Sequence, residues 1–142
     1  MNKVSLKILH LNTQSIIPDT KKIQIDSLIS KHKPCIISFN ETFLEPNLNF
    51  EMEGFNLVRA DRTNQRGGGV LLGIQNNIIG EPIPINHLLK DDYAAGFLIK
   101  ATNNMNIAVF TIYSPPLIPM NKDLFNFIVS NFKYFIITGD QC

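Results

Sequence analysis

Four polar residues stand at the ends of apolar runs in this sequence, and more than a hundred positions separate the first from the last: Asn12, Glu41, Tyr113 and Asp140. In open α/β sheets, ligands bind beyond the carboxyl ends of strands, so these side chains could converge if their strands run the same way. Two carboxylates, an amide and a phenol suit an oxygen-seeking cation such as Mg²⁺ with a phosphate beside it. The sequence has neither zinc-type Cys/His spacing nor a Walker loop.

Each of these residues also has an ordinary structural interpretation. Asn12 could bond the backbone of a turn, and Glu41 could cap a turn that follows its strand. Tyr113 could be an amphipathic residue with only its hydroxyl in water. Asp140 could be a simple turn residue. The residue types by themselves leave both interpretations open.

The elements that would position these residues can be predicted from apolar patterning. A first strand is predicted at "LKILHL" and a helix at "DTKKIQIDSLISKH", where Ile25, Leu28 and Ile29 recur at helical spacing behind an Asp19/Thr20 cap signal. The next strand, "CIISF", is short, continuous and β-branched, which is typical of a strand covered on both faces. Strand, helix and strand in this order favour a right-handed parallel crossover, or at least a helix packed on a sheet.

The middle of the chain contains four further strand candidates with no helical pattern between them, which predicts an antiparallel meander: "FNLVRAD", "GGVLLGI", "AAGFLIKA" and "NIAVFTIY". The Asn-rich "ATNNMN" is typical of a hairpin turn. A second helix at "NKDLFNFIVSNF" and a buried strand at "YFIITGD" follow. The predicted fold is α/β, with a mixed, mostly antiparallel sheet and helices on one side. Core positions are expected for Ile36, Ile37, Phe39, Val70, Leu72, Val109, Phe110, Ile112, Ile136 and Ile137.

Length and charge limit the possible functions. The 142 residues predict one domain, residues 1–142, and the formal net charge of +1 excludes a strongly basic DNA-binding module, so any basic surface must be local. Two cysteines, Cys35 and Cys142, are too few for a disulfide framework and favour an intracellular protein. The sequence shows no signal peptide and no run of roughly 20 apolar residues, so we expect no membrane partner.

Several ordered blocks resemble the endonuclease/exonuclease/phosphatase superfamily, and more narrowly the apurinic-endonuclease-like domain of non-LTR (LINE and jockey-type) retrotransposons. The matching blocks occur in the family's order: "HLNTQSI", "CIISFNETFL", "GFNLVRADR", "RGGGVLLGI", "TIYSPP" and "IITGD". The resemblance implies part of a four-layer, DNase I-like α/β sandwich. It also implies Mg²⁺- or Mn²⁺-dependent cleavage of DNA, in which nicking of the target primes reverse transcription.

The resemblance assigns roles to residues at the matching positions. Glu41 would be a metal ligand together with Asp140, which would also orient or deprotonate water. Asn12 would contact the phosphate or the metal site, and Tyr113 would donate to the phosphate. Arg62 and Arg66, which flank the glycines, are candidate DNA-phosphate contacts; a solvated turn, or a pair with Asp61, is an equal alternative for them.

The sequence also departs from the family pattern. Cys142 stands where the motif after Gly-Asp has Asn, and no part of the 142 residues matches the family's late Asp or its Ser-Asp-His segment. None of His10, His32 or His87 matches that catalytic His. We therefore expect an N-terminal part of the family fold, with the C-terminal half missing, that is inactive by itself. A non-catalytic remnant or interaction fragment, and a small-phosphoester phosphatase, remain alternatives. An intact relative would be nuclear and would carry a reverse transcriptase domain on the same polypeptide.

Overall fold

The computed structural model of this chain describes residues 5–62, 68–101 and 105–141, with residues 140 and 141 described by their backbone only. Predicted features in residues 63–67 and 102–104, including Arg66 and the tip of the "ATNNMN" turn, lie outside the described residues. The elements are β1 (Ile8–Asn12), α1 (Asp19–His32), β2 (Ile36–Asn40), β3 (Phe55–Ala60), β4 (Val70–Gln75), β5 (Gly80–Pro82), a short 3-10 helix (Asn86–Leu88), β6 (Tyr93–Lys100), β7 (Asn106–Ser114), α2 (Lys122–Asn131) and β8 (Phe135–Gln141).

The strands of the described residues form two four-stranded sheets, in the orders β1-β2-β4-β3 and β5-β6-β7-β8. The pairs β1–β2 and β7–β8 are parallel, and the remaining pairs are antiparallel. The connection from β1 through α1 to β2 is therefore the parallel crossover that the sequence predicts. Each sheet is mixed and mostly antiparallel, as expected.

The two sheets pack face to face, and each carries one helix on its outer side. Apolar residues of β2 and β4 meet those of β6 and β7 in the central core, for example Leu72 and Phe97. Helix α1 packs its buried Ile25 against the outer face of the first sheet. Helix α2 packs Leu124 and Ile128 against the outer face of the second sheet. These layers form a four-layer α/β sandwich and confirm the predicted fold class.

The single antiparallel meander predicted for the middle of the chain is wrong. Strands β3 and β4 belong to the first sheet, whereas β6 and β7 belong to the second. The short strand β5, which pairs with β6 at the edge of the second sheet, was not predicted. Its three residues, which include Pro82, give no strand pattern, because Pro cannot donate a ladder hydrogen bond and occurs mainly on edge strands.

The predicted core is buried with two exceptions. Eight of the ten residues expected there are at most 2% exposed. Ile136 and Ile137 are only half-buried, because β8 has a single strand neighbour, β7, among the described residues. Neither α-helix within the described ranges combines the length and the apolar content needed to cross a membrane.

Candidate active site

Asn12 and Glu41 lie side by side at the carboxyl ends of the parallel pair β1–β2. Asn12 is the last residue of β1 and is in register with Asn40, the last residue of β2, so Glu41 follows directly on the neighbouring strand. The Asn12 amide Nδ2 donates a hydrogen bond to Glu41 Oε2. Asn12 Oδ1 accepts from the backbone N–H of Gln14 at 3.2 Å, so Asn12 also has the turn-bonding role given above as its structural interpretation.

The backbone of Glu41 is strained. Its φ of +54° lies in the left-handed region, which non-glycine residues rarely adopt and which is concentrated at functional sites. The conformation is held through the Glu41 carbonyl oxygen, which accepts from Thr13 Oγ1 at 3.0 Å and from the Ser15 N–H at 2.8 Å. The turn after β1 therefore fixes the residue that the resemblance assigns to the metal.

Two glycines of the "GGG" block let another loop approach Glu41 closely. The N–H groups of Thr42 and Phe43 donate to the carbonyl oxygens of Gly69 and Gly68, at 3.2 and 3.0 Å. A Cβ on Gly69 would lie 2.6 Å from Thr42 Oγ1, and a Cβ on Gly68 would lie 2.7 Å from the ring of Tyr93. Both glycines also have positive φ, so the local backbone and the available space require them.

Tyr113 and Asp140 are backbone register partners in the second parallel pair, β7–β8. The register of β7 with β8 places Tyr113 directly opposite Asp140. Tyr113 is 9% exposed, and its ring stacks on Tyr93 with the centroids 6.2 Å apart. The structure describes Asp140 by its backbone, so the position of its carboxylate lies outside the described residues.

Buried Asn40 connects the two strand pairs. Its Oδ1 accepts from Thr111 Oγ1 at 2.9 Å, and its Nδ2 donates to the carbonyl oxygen of Ile112 at 3.4 Å. Asn40 directly precedes Glu41, and Ile112 directly precedes Tyr113. The structure thus joins Asn12 to Glu41, aligns Tyr113 with the backbone of Asp140, and connects both pairs through the ends of β2 and β7. A metal shared by both carboxylates stays a prediction.

The side chains at this end of the sheets fit an oxygen-ligated cation. The Glu41 carboxylate is partly exposed and has an amide beside it, which is a donor set typical of Mg²⁺ rather than zinc. Among the described side chains, no group of three or more His, Cys, Asp or Glu is arranged to hold a metal ion. The full ligand set assigned by the resemblance includes Asp140, whose side chain is outside that description.

Arg62 does not form the pair with Asp61 that was one alternative for it. Its Nη2 donates to Glu45 Oε1 at 3.2 Å, while Asp61 pairs with Arg59 at 2.9 Å. Burial raises the pKa of Tyr93, although the nearby Arg62 guanidinium opposes this shift. The backbone of Arg62 lies beside Gly69, and the preceding glycine of the loop, Gly68, lies against the ring of Tyr93.

Comparison with known proteins yields structures but no sequence families: no family model and no curated protein sequence matches this chain. The 3′ phosphatase NExo from Neisseria, bound to a product DNA hairpin, matches with a TM-score of 0.63 and 15% identity, over 96% of this chain and 57% of NExo. The APE2 catalytic domain from Xenopus laevis matches with a TM-score of 0.64 and 14% identity, over 95% of this chain and 58% of that domain. An endonuclease/exonuclease/phosphatase family protein from Bacteroides thetaiotaomicron matches with a TM-score of 0.56 and 11% identity, over 95% of this chain and 62% of that protein.

The chain has the endonuclease/exonuclease/phosphatase fold. It spans 57 to 62% of the length of these three solved chains. Identities of 11 to 15% establish the shared fold, and the narrower resemblance to the retrotransposon endonucleases stays a prediction.

Within this endonuclease/exonuclease/phosphatase fold, sequence reasoning missed Asn40, Thr111 and Tyr93. Asn40 was assigned no role because attention went to the carboxylate of Glu41 beside it. A polar residue at the end of a buried strand was nevertheless a usable signal. Thr111 has the residue type of an ordinary β-branched strand position. Tyr93 begins β6, one residue before the predicted "AAGFLIKA" run, and its stacking on Tyr113 depends on strand register.

The pairing of Asp61 with Arg59 in this fold leads to a pH prediction. The Asp61 side chain is 8% exposed, and burial raises its pKa above 3.8, with Arg59 only partly opposing the shift. A raised folded pKa contributes stability that is complete below the unfolded pKa and is lost as pH rises through the folded pKa. The free energy of unfolding of wild type should therefore fall relative to Asp61→Asn as pH rises from about 4 through the raised pKa of Asp61.

Urea unfolding of both proteins across this range measures the difference, and exposed Asp26→Asn on α1 is the matched control. A difference between wild type and Asp61→Asn that stays constant with pH, or that favours wild type increasingly as pH rises, would contradict the prediction.

Proposed function

We propose that this chain belongs to a divalent-metal-dependent nuclease that cleaves phosphodiester bonds of DNA, as the target-nicking endonuclease of a non-LTR retrotransposon does. The observation that carries the proposal is the contact between Asn12 and Glu41, with Glu41 in a strained conformation at a strand end of this fold. Strain of this kind costs about 1–3 kcal/mol and persists where the surrounding structure enforces it. A carboxylate held in this way is pre-organised for a ligand.

Glu41 and Asp140 would hold Mg²⁺ or Mn²⁺ in the proposed nuclease. When bound, the cation neutralises charge that develops on the phosphate. Asn12 orients the Glu41 carboxylate and can donate to a phosphate oxygen. Tyr113 supplies a phenol donor at the end of β7. Asp140 orients the attacking water and accepts its proton.

DNA is the proposed substrate and partner. The Neisseria neighbour holds a product DNA hairpin in its structure, and the fold is shared. Arg62 is a proposed contact with a backbone phosphate, because its backbone lies beside Gly69 in the loop that packs on Tyr93. Arg66 is the second proposed contact. On the basis of the matching sequence blocks, we also propose that the intact protein carries a reverse transcriptase domain on the same polypeptide. Its proposed location is the nucleus.

Nicking of supercoiled plasmid in Mg²⁺ tests this function. Two proteins are compared. The first is the 142-residue chain alone. The second is the same chain with Cys142→Asn, joined to the C-terminal half of an intact relative. The joined protein is expected to produce nicked circles that disappear when the metal is chelated, and the chain alone is expected to be silent. Strong nicking by the chain alone would contradict the expectation that the second half is required.

Two other outcomes would replace the proposed function. A folded but inactive joined protein would favour the non-catalytic remnant. Hydrolysis of a small phosphoester without plasmid nicking would favour the phosphatase alternative.

A further inference from the structure

Side-chain hydrogen bonds cross the interface between the two sheets and form a polar seam, defined here as His10, Ser38, Asn40, Thr111 and Thr138. Ser38 Oγ lies 2.8 Å from both Thr111 Oγ1 and Thr138 Oγ1. His10 Nδ1 lies 2.9 Å from Ser38 Oγ. Most of the surrounding interface is apolar, so this seam is a distinct polar feature of the core.

Asn40 is the member of the seam nearest to the candidate site. It is fully buried, and its side chain bonds only to β7, through Thr111 Oγ1 and the Ile112 carbonyl oxygen, among its described contacts. Its backbone oxygen accepts from both the N–H and the Oγ1 of Thr13, at 2.9 and 3.0 Å. Asn40 therefore connects β1, β2 and β7 one residue before Glu41.

Stability alone gives little reason for an amide at this position. A satisfied buried hydrogen bond contributes only about 0.5–1.5 kcal/mol net, because both groups give up water on folding, and apolar side chains could fill the same interface. Two directed bonds to β7, in contrast, specify one separation between the ends of β2 and β7. The next residues on those strands are Glu41 and Tyr113.

We propose that Asn40 is a positioning residue, which acts through its bond with Thr111 to hold the backbone of Glu41 in the conformation that binds a divalent cation. The proposal rests on the proposed function, because it takes Glu41 as a metal ligand. The bonds of Asn40 with Thr111 and Ile112 transmit this constraint from the second sheet to the first. Loss of the bond between Asn40 and Thr111 should reduce the free energy of cation binding by more than it reduces the free energy of unfolding.

Thr111→Val tests the proposal, because valine keeps the shape of threonine and removes the hydroxyl that donates to Asn40. The probe is Mn²⁺, and its binding to the 142-residue chain is followed by electron paramagnetic resonance. We expect the dissociation constant to rise about tenfold, the size of effect seen when partners of metal ligands are removed. Thr111→Ser, which restores a hydroxyl, should return the affinity to within about twofold of wild type.

Ser38→Ala is the matched control, because it removes a buried hydroxyl from the same seam. Ser38 Oγ donates to Thr111 Oγ1, so its loss leaves the Thr111 hydroxyl hydrogen donating to Asn40. We expect Ser38→Ala to destabilise the chain comparably in urea while it leaves Mn²⁺ affinity within about twofold of wild type. Equal loss of affinity in Ser38→Ala and Thr111→Val, or unchanged affinity in Thr111→Val, would overturn the positioning role.

Two further measurements separate failure of this inference from failure of the proposed function. If Mn²⁺ binding is absent or is unaffected by Glu41→Ala, the proposed metal site is wrong. Amide hydrogen exchange then still tests the positioning role without metal, because the Ser15 N–H donates to the Glu41 carbonyl oxygen. Faster exchange at Ser15 in Thr111→Val, with no change in Ser38→Ala, supports positioning, and unchanged exchange in Thr111→Val overturns it.

Discussion

Glu41→Ala is expected to lower metal-dependent DNA nicking by about 10³-fold, because it removes a charged ligand from the site where transition-state charge is neutralised. Asn12 would also lose the carboxylate that accepts a hydrogen bond from its side-chain amide. The measurement is the nicking rate of supercoiled plasmid by the protein joined to the second half of the fold. Exposed Glu51→Ala, on the loop beside α1, should keep the wild-type rate.

Glu41→Gly separates loss of chemistry from loss of folding. Glycine adopts the left-handed conformation without the cost that Glu41 incurs at φ +54°, so the variant should be at least as stable as wild type and yet inactive. Wild-type nicking by a folded Glu41→Gly protein would show that the carboxylate has no role in cleavage.

Gly139→Ala is expected to have the largest effect on stability, about 4 kcal/mol or more. Gly139 pairs with Ile112 in the β7–β8 ladder at φ +136°, and a Cβ there would lie 1.7 Å from the carbonyl oxygen of Ile112. The two strands can keep their register only if this position has no side chain. The substitution should separate β8 from β7. Because Asp140 directly follows Gly139, its backbone should be displaced as well.

Gly54→Ala is the control for backbone strain, because Gly54 also has positive φ, at +89°, but a Cβ on it would meet no described atom within 4 Å beyond its chain neighbours. The substitution should cost about 1–2 kcal/mol, the strain of the left-handed conformation alone. Urea unfolding compares the two variants. Similar losses of free energy in both would contradict the proposed clash at Ile112.

The sequence by itself determined the local elements. The predicted span "DTKKIQIDSLISKH" coincides with α1, and "CIISF" lies within one residue of β2 at each end, because helical spacing and continuous β-branched burial are local patterns. The capping signal at Asp19/Thr20 was less informative, since Pro18 occupies the N-cap without a side-chain hydrogen bond. At its other end the helix is capped by Lys33 in a left-handed conformation.

The sequence also located Asn12 and Glu41 at strand ends, because each polar residue interrupts an apolar run. Their contact then follows from the parallel pairing of β1 with β2, which the strand–helix–strand order predicts. The functional roles of these residues remain predictions that the nicking and metal-binding experiments address.

Only the tertiary structure decided which sheet each middle strand joins. Strand β4 is buried on both faces, and so is most of β7, so apolar patterning carries no information about the partner. The bonds from Asn40 to Thr111 and Ile112, and the stacking of Tyr93 on Tyr113, depend on sheet packing and strand register. Contacts between residues so distant in sequence have no local signature, because the energy that selects them arises only when both sheets pack together.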